Sequence, residues 1–142
     1  MTKRILIVGA SWVGDMVMAQ TLLIFLKKKH PKSIIDVLAP AWSKDILSRM
    51  PEINKCLELP LKHGEVKLSL RYKIGKKLQE NKYTNAYILP NSLKSALIPF
   101  FAKIKTRTGW KGESRYLLLN DIKILDKKSL NLMIDRFVAL GL

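Results

Sequence analysis

Short apolar runs alternate with longer amphipathic stretches along this chain, and the alternation predicts strand then helix from the first residues onward. Lys3–Gly9 is continuously apolar at its centre, Ile5-Leu6-Ile7-Val8, as in a parallel strand buried on both faces. Met16 to Lys29 reads as the helix that follows, with Asp15 as its N-cap and a stop before His30-Pro31. Ser33–Ala39 is a second strand closed by Pro40, and Ala41–Met50 a short helix ended by Pro51. Asn54–Leu59 is a third strand. Glu65 to about Lys82 is a helix that turns Leu68, Leu70, Ile74 and Leu78 toward the core. Thr84–Leu89 is a fourth strand, followed by a turn at Pro90-Asn91-Ser92 and a helix over Leu93–Ala102. Lys105–Gly109 is a weak fifth strand, Trp110–Asn120 a loop, and Ser129–Leu140 a last amphipathic helix. Repeats and low-complexity tracts are absent from the sequence.

The βαβα series predicts an α/β fold: a Rossmann-like parallel sheet with helices on both faces. Such sheets bind ligands beyond the carboxyl ends of their strands. The segments expected at that edge carry Asp15, Lys62, His63, Asn91, Lys94, Trp110, Lys111 and Arg115. One rim would therefore bring together a carboxylate, an amide, bases and an aromatic ring.

Composition narrows the partners more than the fold. A length of 142 residues suits one domain with a real core, and 48% hydrophobic residues argue against disorder. The single Cys56 excludes an intrachain disulfide and a cysteine metal site; packing is its expected role, in a reducing compartment. Lys3 and Arg4 precede an apolar stretch, but Gly9 and Gly14-Asp15 interrupt it, so a signal peptide is not expected. The run Met16–Leu26 is too short to span a bilayer, and a cytoplasmic protein is the default. The net charge of +15 comes from 20 Lys and 6 Arg against 11 acids. It suits an acidic ligand or an anionic membrane surface, although Lys excess also arises from compositional bias. Nucleic acid is not expected as a partner, since no RNA-binding or helix-turn-helix signature accompanies the charge.

The motif after the first strand is Gly9-Ala10-Ser11-Trp12-Val13-Gly14-Asp15. Gly9 and Gly14 have the spacing of a phosphate loop, yet Asp15 stands where that loop needs its lysine. A carboxylate repels phosphate but can take a proton from a hydroxyl, which points to sugar or alcohol chemistry. Together with the absent GxGxxG, this counts against a complete small nucleotide-binding domain.

Four stretches in order go further: Gly9–Met16, Ala39-Pro40-Ala41-Trp42, Leu89–Ala96 and Arg107–Tyr116. With Leu47–Pro51 and Leu117–Asp121, they closely resemble the N-terminal half of the ADP-heptose-dependent lipopolysaccharide heptosyltransferases, along almost the whole chain. The resemblance implies a GT-B glycosyltransferase of Gram-negative bacteria, with two Rossmann-like domains facing across a cleft. It implies inverting transfer of heptose from ADP-heptose to a core heptose of the lipopolysaccharide inner core. No metal and no cofactor beyond the donor substrate are implied. Residues 1–142 correspond to the acceptor-binding domain, and the domain that holds most of the nucleotide sugar is expected to lie outside this chain.

The resemblance gives Asp15 the role of catalytic base. An aspartate of ordinary pKa, about 4, is ionised and ready at neutral pH. The plain alternative for Asp15 is the helix N-cap, and one carboxylate can do both. Acceptor contacts are expected from Ser11, Trp12, Gly14, Lys62, His63, Asn91, Lys94, Trp110 and Arg115. Lys94 at a helix start opposes the helix dipole, and Arg115 can fork onto acidic sugar or phosphate groups. Each has a plainer reading: solvated serine and lysine, a turn asparagine, tryptophans that pack (Trp42 included). His63 has only His30 as a companion and no metal-site spacing. Lys62, His63, Lys67, Arg71 and Lys73 form a basic surface, either simply solvated or facing the phosphorylated lipid end of the acceptor and the inner membrane. Met16, Met18 and Leu22–Leu26 read as core. The competing function is a truncated, catalytically inactive basic binding domain.

Overall fold

The computed structural model describes residues 3–9, 13–40, 43–59, 68–89, 96–110 and 121–123, with 13–16, 18, 110 and 121–123 described by backbone alone. Six strands form one sheet: β1 (Arg4–Val8), β2 (Ile34–Pro40), β3 (Lys55–Leu59), β4 (Asn85–Ile88), β5 (Thr106–Trp110) and β6 (Asp121–Lys123). Their order is β3-β2-β1-β4-β5-β6, and every pairing is parallel. The helices are α1 (Val13–Lys29), α2 (Lys44–Leu47), α3 (Leu68–Leu78) and α4 (Leu97–Phe101), with a 3₁₀ turn at Gln79–Asn81.

β1 explains the layering. Its side chains alternate between the two faces, and all four apolar ones are buried. Ile5 and Ile7 join Leu22, Leu23 and Leu26 of α1, Leu47 of α2, and Ile35 and Val37 of β2. Leu6 and Val8 join the opposite cluster with Leu78 of α3, Ile98 of α4, and Ala86 and Ile88 of β4. A helix on each face is therefore required, and right-handed crossovers supply it. The connections that run from β1 toward β3 pass over one face, and those that run from β3 to β5 pass over the other.

α3 and α4 meet at Gly75. A Cβ there would stand 2.5 Å from Phe101 Cβ and 2.9 Å from the Ile98 carbonyl oxygen, so only glycine permits this approach. The Gln79 side-chain amide donates to the Phe101 carbonyl at 2.8 Å and closes the end of α4.

A charged-type side chain is buried inside the sheet layer. Asp36 of β2 accepts from the Tyr83 hydroxyl at 2.6 Å, from Asn54 Nδ2 at 3.1 Å and from the Lys55 amide at 3.1 Å. Asn81 Nδ2 donates to the Tyr83 oxygen at 3.1 Å. Burial, then the hydrogen bond to Asp36, pushes the Tyr83 phenol well above its ordinary range.

Several sequence expectations are corrected. α1 starts at Val13, ahead of Met16, so Asp15 is its third residue and not its N-cap. α2 is four residues long, and the predicted helix gives way to a turn from Ser48 before Pro51. Leu68 does not pack into the core: it opens α3 and is 56% exposed, whereas the helix buries Arg71, Gly75 and Leu78 and packs Ile74 against the core. Arg71 is accordingly only 4% exposed and drops out of the basic surface. Desolvation lowers its pKa. Ile24 faces out, one position from the buried Leu23. Cys56 packs half-buried against the α1-side cluster, and burial raises its thiol pKa. Trp110 ends β5 and does not open a loop. The short strand β6 was not expected at all. The last predicted helix, Trp42, Met16, Met18 and Lys67 lie outside the described residues or have side chains outside them.

Two stability predictions follow from these contacts. Gly75→Val pushes against backbone atoms of α4 and lowers unfolding free energy by about 2–3 kcal/mol in urea titration. Tyr83→Phe takes a charge-assisted hydrogen bond from Asp36 and costs about 1–3 kcal/mol at neutral pH. The raised phenol pKa also sets a sign. Above about pH 10 the unfolded tyrosine loses its proton while the folded one keeps it, so stability falls as pH rises. In Tyr83→Phe the alkaline fall becomes shallower.

Candidate functional site

All strands point the same way, so Val8, Pro40, Leu59, Ile88 and Trp110 end on one edge of the sheet. The middle of that edge is pinned by backbone hydrogen bonds on both sides of β1. The Gly9 amide donates to Leu38 O at 2.9 Å, and the Leu89 amide donates to Val8 O at 3.1 Å. Just beyond these bonds the chain diverges. From β1 it enters α1 on one face, and after β4 it reaches α4 on the other. This is the topological switch point of the sheet, the place where open α/β sheets bind their ligands.

Asp15 belongs to this place. Its backbone lies in the first turn of α1, directly after the loop that leaves β1. Three residues, 10–12, link Gly9 to that helix, so the first turn stays close to the pinned strand end. Gly14 shares the turn. A carboxylate in a first turn is favoured by the helix dipole, which stabilises its ionised form. A 17-residue helix fixed by Leu22, Leu23 and Leu26 is also a rigid mount for a reacting group.

The other predicted site residues sort by the strand they follow. Trp110 is the last residue of β5, in register with Lys123 of β6. At about 4.8 Å per strand, the ends of β1 and β5 are about 10 Å apart. Ser11, Trp12, Lys62, His63, Asn91, Lys94, Lys111 and Arg115 lie outside the described residues. In sequence, Asn91 and Lys94 follow β4, the neighbour of β1, whereas Lys62 and His63 follow β3, separated from β1 by β2. The topology thus groups Asp15 with the segment after β4 and sets the segment after β3 to one side.

Sequence reasoning missed the strand order and hence the switch point. It put residues from several segments on the rim without ranking them, whereas the order β3-β2-β1-β4-β5-β6 singles out the segments after β1 and β4. It also missed β6, for which Asp121-Ile122-Lys123-Ile124 offered a short alternating signal. Among the described residues no cluster of His, Cys, Asp or Glu could hold a metal ion, and no helix is long and apolar enough to cross a membrane.

Comparison with known proteins gives the chain a family. Residues 71–141 match the family model for glycosyltransferase family 9 (heptosyltransferase). Lipopolysaccharide heptosyltransferase 2 of Escherichia coli K12 is 54% identical over 138 residues, which cover 97% of this chain and 40% of that protein. Lipooligosaccharide heptosyltransferase 2 of Haemophilus influenzae is 57% identical over 138 residues, covering 97% of this chain and 39% of its own length. The solved E. coli ADP-heptose LPS heptosyltransferase II superposes with a TM-score of 0.91 at 50% identity, over 98% of this chain and 40% of that one. The chain therefore spans about 40% of the length of the curated relatives it matches. With half its length matched by the family model and its sheet superposing on a solved member, the chain belongs to glycosyltransferase family 9, the heptosyltransferases.

Proposed function

We propose that this chain is the acceptor-side domain of a GT-B heptosyltransferase that moves heptose from ADP-heptose to a core heptose of lipopolysaccharide, with inversion. The observation that carries the reading is Asp15 in the first turn of α1 at the β1/β4 switch point, in a chain more than half identical to lipopolysaccharide heptosyltransferase 2. The first makes a base available at a ligand crevice, and the second names the ligand class.

The chemistry follows from the carboxylate. The acceptor hydroxyl sits over the crevice and gives its proton to Asp15 as its oxygen attacks the anomeric carbon of the donor. The glycosidic bond to ADP breaks on the opposite face, and ADP leaves with the bonding pair. Attack opposite the leaving group inverts the anomeric centre, as in inverting glycoside chemistry. Gly9 and Gly14 keep the backbone low around the acceptor. Lys94 and Arg115 offset the acidic groups of the inner core, with Ser11, Asn91, Trp12 and Trp110 completing the cradle. Lys62 and His63, on the far side of β2, meet a more distant part of the acceptor. The donor is held mainly by the remainder of the protein, outside residues 1–142. The working place is the cytoplasmic face of a Gram-negative inner membrane, where a lipid-borne acceptor is met.

Two kinetic outcomes test the reading in the full-length protein with ADP-heptose and an inner-core acceptor lacking the second heptose. Asp15→Asn keeps the shape but removes the base, and lowers kcat by about 10²–10⁴-fold with little change in acceptor KM. Turnover that survives this change overturns the base role, and a wild-type protein with no turnover favours the inactive binding domain. Arg115→Ala raises acceptor KM by about tenfold and leaves the donor KM unchanged. Acceptor binding that is unaltered in this variant removes Arg115 from the site.

A further inference from the structure

The outer stripe of α3 does not resemble an ordinary solvated helix face. Leu68 and Tyr72 are 56% and 50% exposed, and Phe100 of the neighbouring α4 is 40% exposed. Leu68 and Tyr72 rim an open groove together with Phe101, Lys73, Lys76 and Lys77, and Phe100 stands beside it against Phe101. The rings are ordered against one another. Tyr72 meets Phe101 edge-on at 5.3 Å, Phe101 meets Phe100 at 5.8 Å, and the Arg107 guanidinium sits 5.5 Å from the Phe100 centroid. Glu80 is the one acid of the groove among the described residues.

The geometry points to an anionic lipid bilayer as the occupant of this surface. Large apolar side chains stand outward in one patch, and lysines flank them on the same helix face. In a bilayer interface the rings and Leu68 enter the headgroup layer, while the long lysine stems reach back to lipid phosphates. Charge complementarity favours this occupant over a second copy of the chain, since two chains of net charge +15 repel each other. It also outranks a nucleic acid, whose phosphates would engage the lysines but leave the exposed Leu68 without a role.

The placement gives the contact a use. α3 links the parallel strands β3 and β4, so it runs back from the carboxyl edge, and Leu68 lies at the end nearer that edge. A bilayer held against α3 and α4 stands beside the crevice, where a lipid-anchored sugar would arrive. This use rests on the proposed transferase reading; the patch itself rests on its own residues.

Vesicle co-sedimentation of the full-length protein tests it, using phosphatidylcholine alone and phosphatidylcholine mixed with phosphatidylglycerol. The wild type binds the mixed vesicles and not the neutral ones. Lys76→Gln with Lys77→Gln lowers the partition coefficient about 30-fold, from about 1 kcal/mol per lysine. Tyr72→Ser lowers it about 5-fold by removing inserted apolar area. Both variants keep the wild-type circular-dichroism spectrum at the assay temperature and turn over a delipidated, water-soluble acceptor at the wild-type rate. Vesicle binding that is absent from the wild type, or unchanged in both variants, overturns the proposal and leaves the transferase reading intact. Salt-sensitive binding to single-stranded RNA without vesicle binding overturns it in favour of a nucleic acid. Vesicle binding lost in the variants of a protein without transferase activity supports the patch and overturns only the transferase reading.

Discussion

The burial of both faces of β1 is the constraint on which the rest of this structure depends. Four consecutive apolar side chains, Ile5 to Val8, alternate across the sheet, and none can be left facing water without exposing a large branched group. α1 covers one side and α3 with α4 the other. Because parallel crossovers are right-handed, covering both faces obliges the chain to run outward from β1 in both directions. The reversal lies at β1 and β4, and the crevice at their carboxyl ends is its by-product. The place where sugar chemistry is proposed is thus a consequence of how the core is covered.

Much of this was legible in the order of elements. The continuous apolar centre of β1, the breaks at Pro31, Pro51 and Pro60, and the alternation of strand and helix lead to a parallel sheet with helices on both faces. Strand order was not legible, because it is decided by pairings between residues far apart, such as Leu6 with both Asp36 and Ala86. Local pattern was also misleading on α3. Leu68 looked like core and Arg71 like surface, yet the face of the helix is set by Gly75, which must meet α4. Once Gly75 faces inward, Arg71 one turn earlier is buried with it, while Leu68 in the first turn of the helix and Tyr72 beside the buried stripe stay exposed.

The candidate site was legible in a different way. Asp15 was singled out from a spacing that nearly makes a phosphate loop, and its backbone lies in the first turn of α1. Its reading as an N-cap failed because the helix starts earlier than its apolar pattern does. Gly14 lies within the first turn despite its low helix propensity, so pattern alone set the boundary too late. The buried Asp36–Tyr83 pair escaped notice for a related reason. An aspartate within an apolar strand reads as an interruption until the hydroxyl that satisfies it is located 47 positions away.

The central claim is that the acceptor binds over the β1/β4 switch point. Hydrogen–deuterium exchange of the full-length protein, with and without the inner-core acceptor, addresses it most directly. The account predicts slowed exchange in peptides covering residues 9–16 and 89–96, where amides at the crevice lose access to solvent. Exchange unchanged in both peptides, with protection elsewhere in the chain, would contradict it.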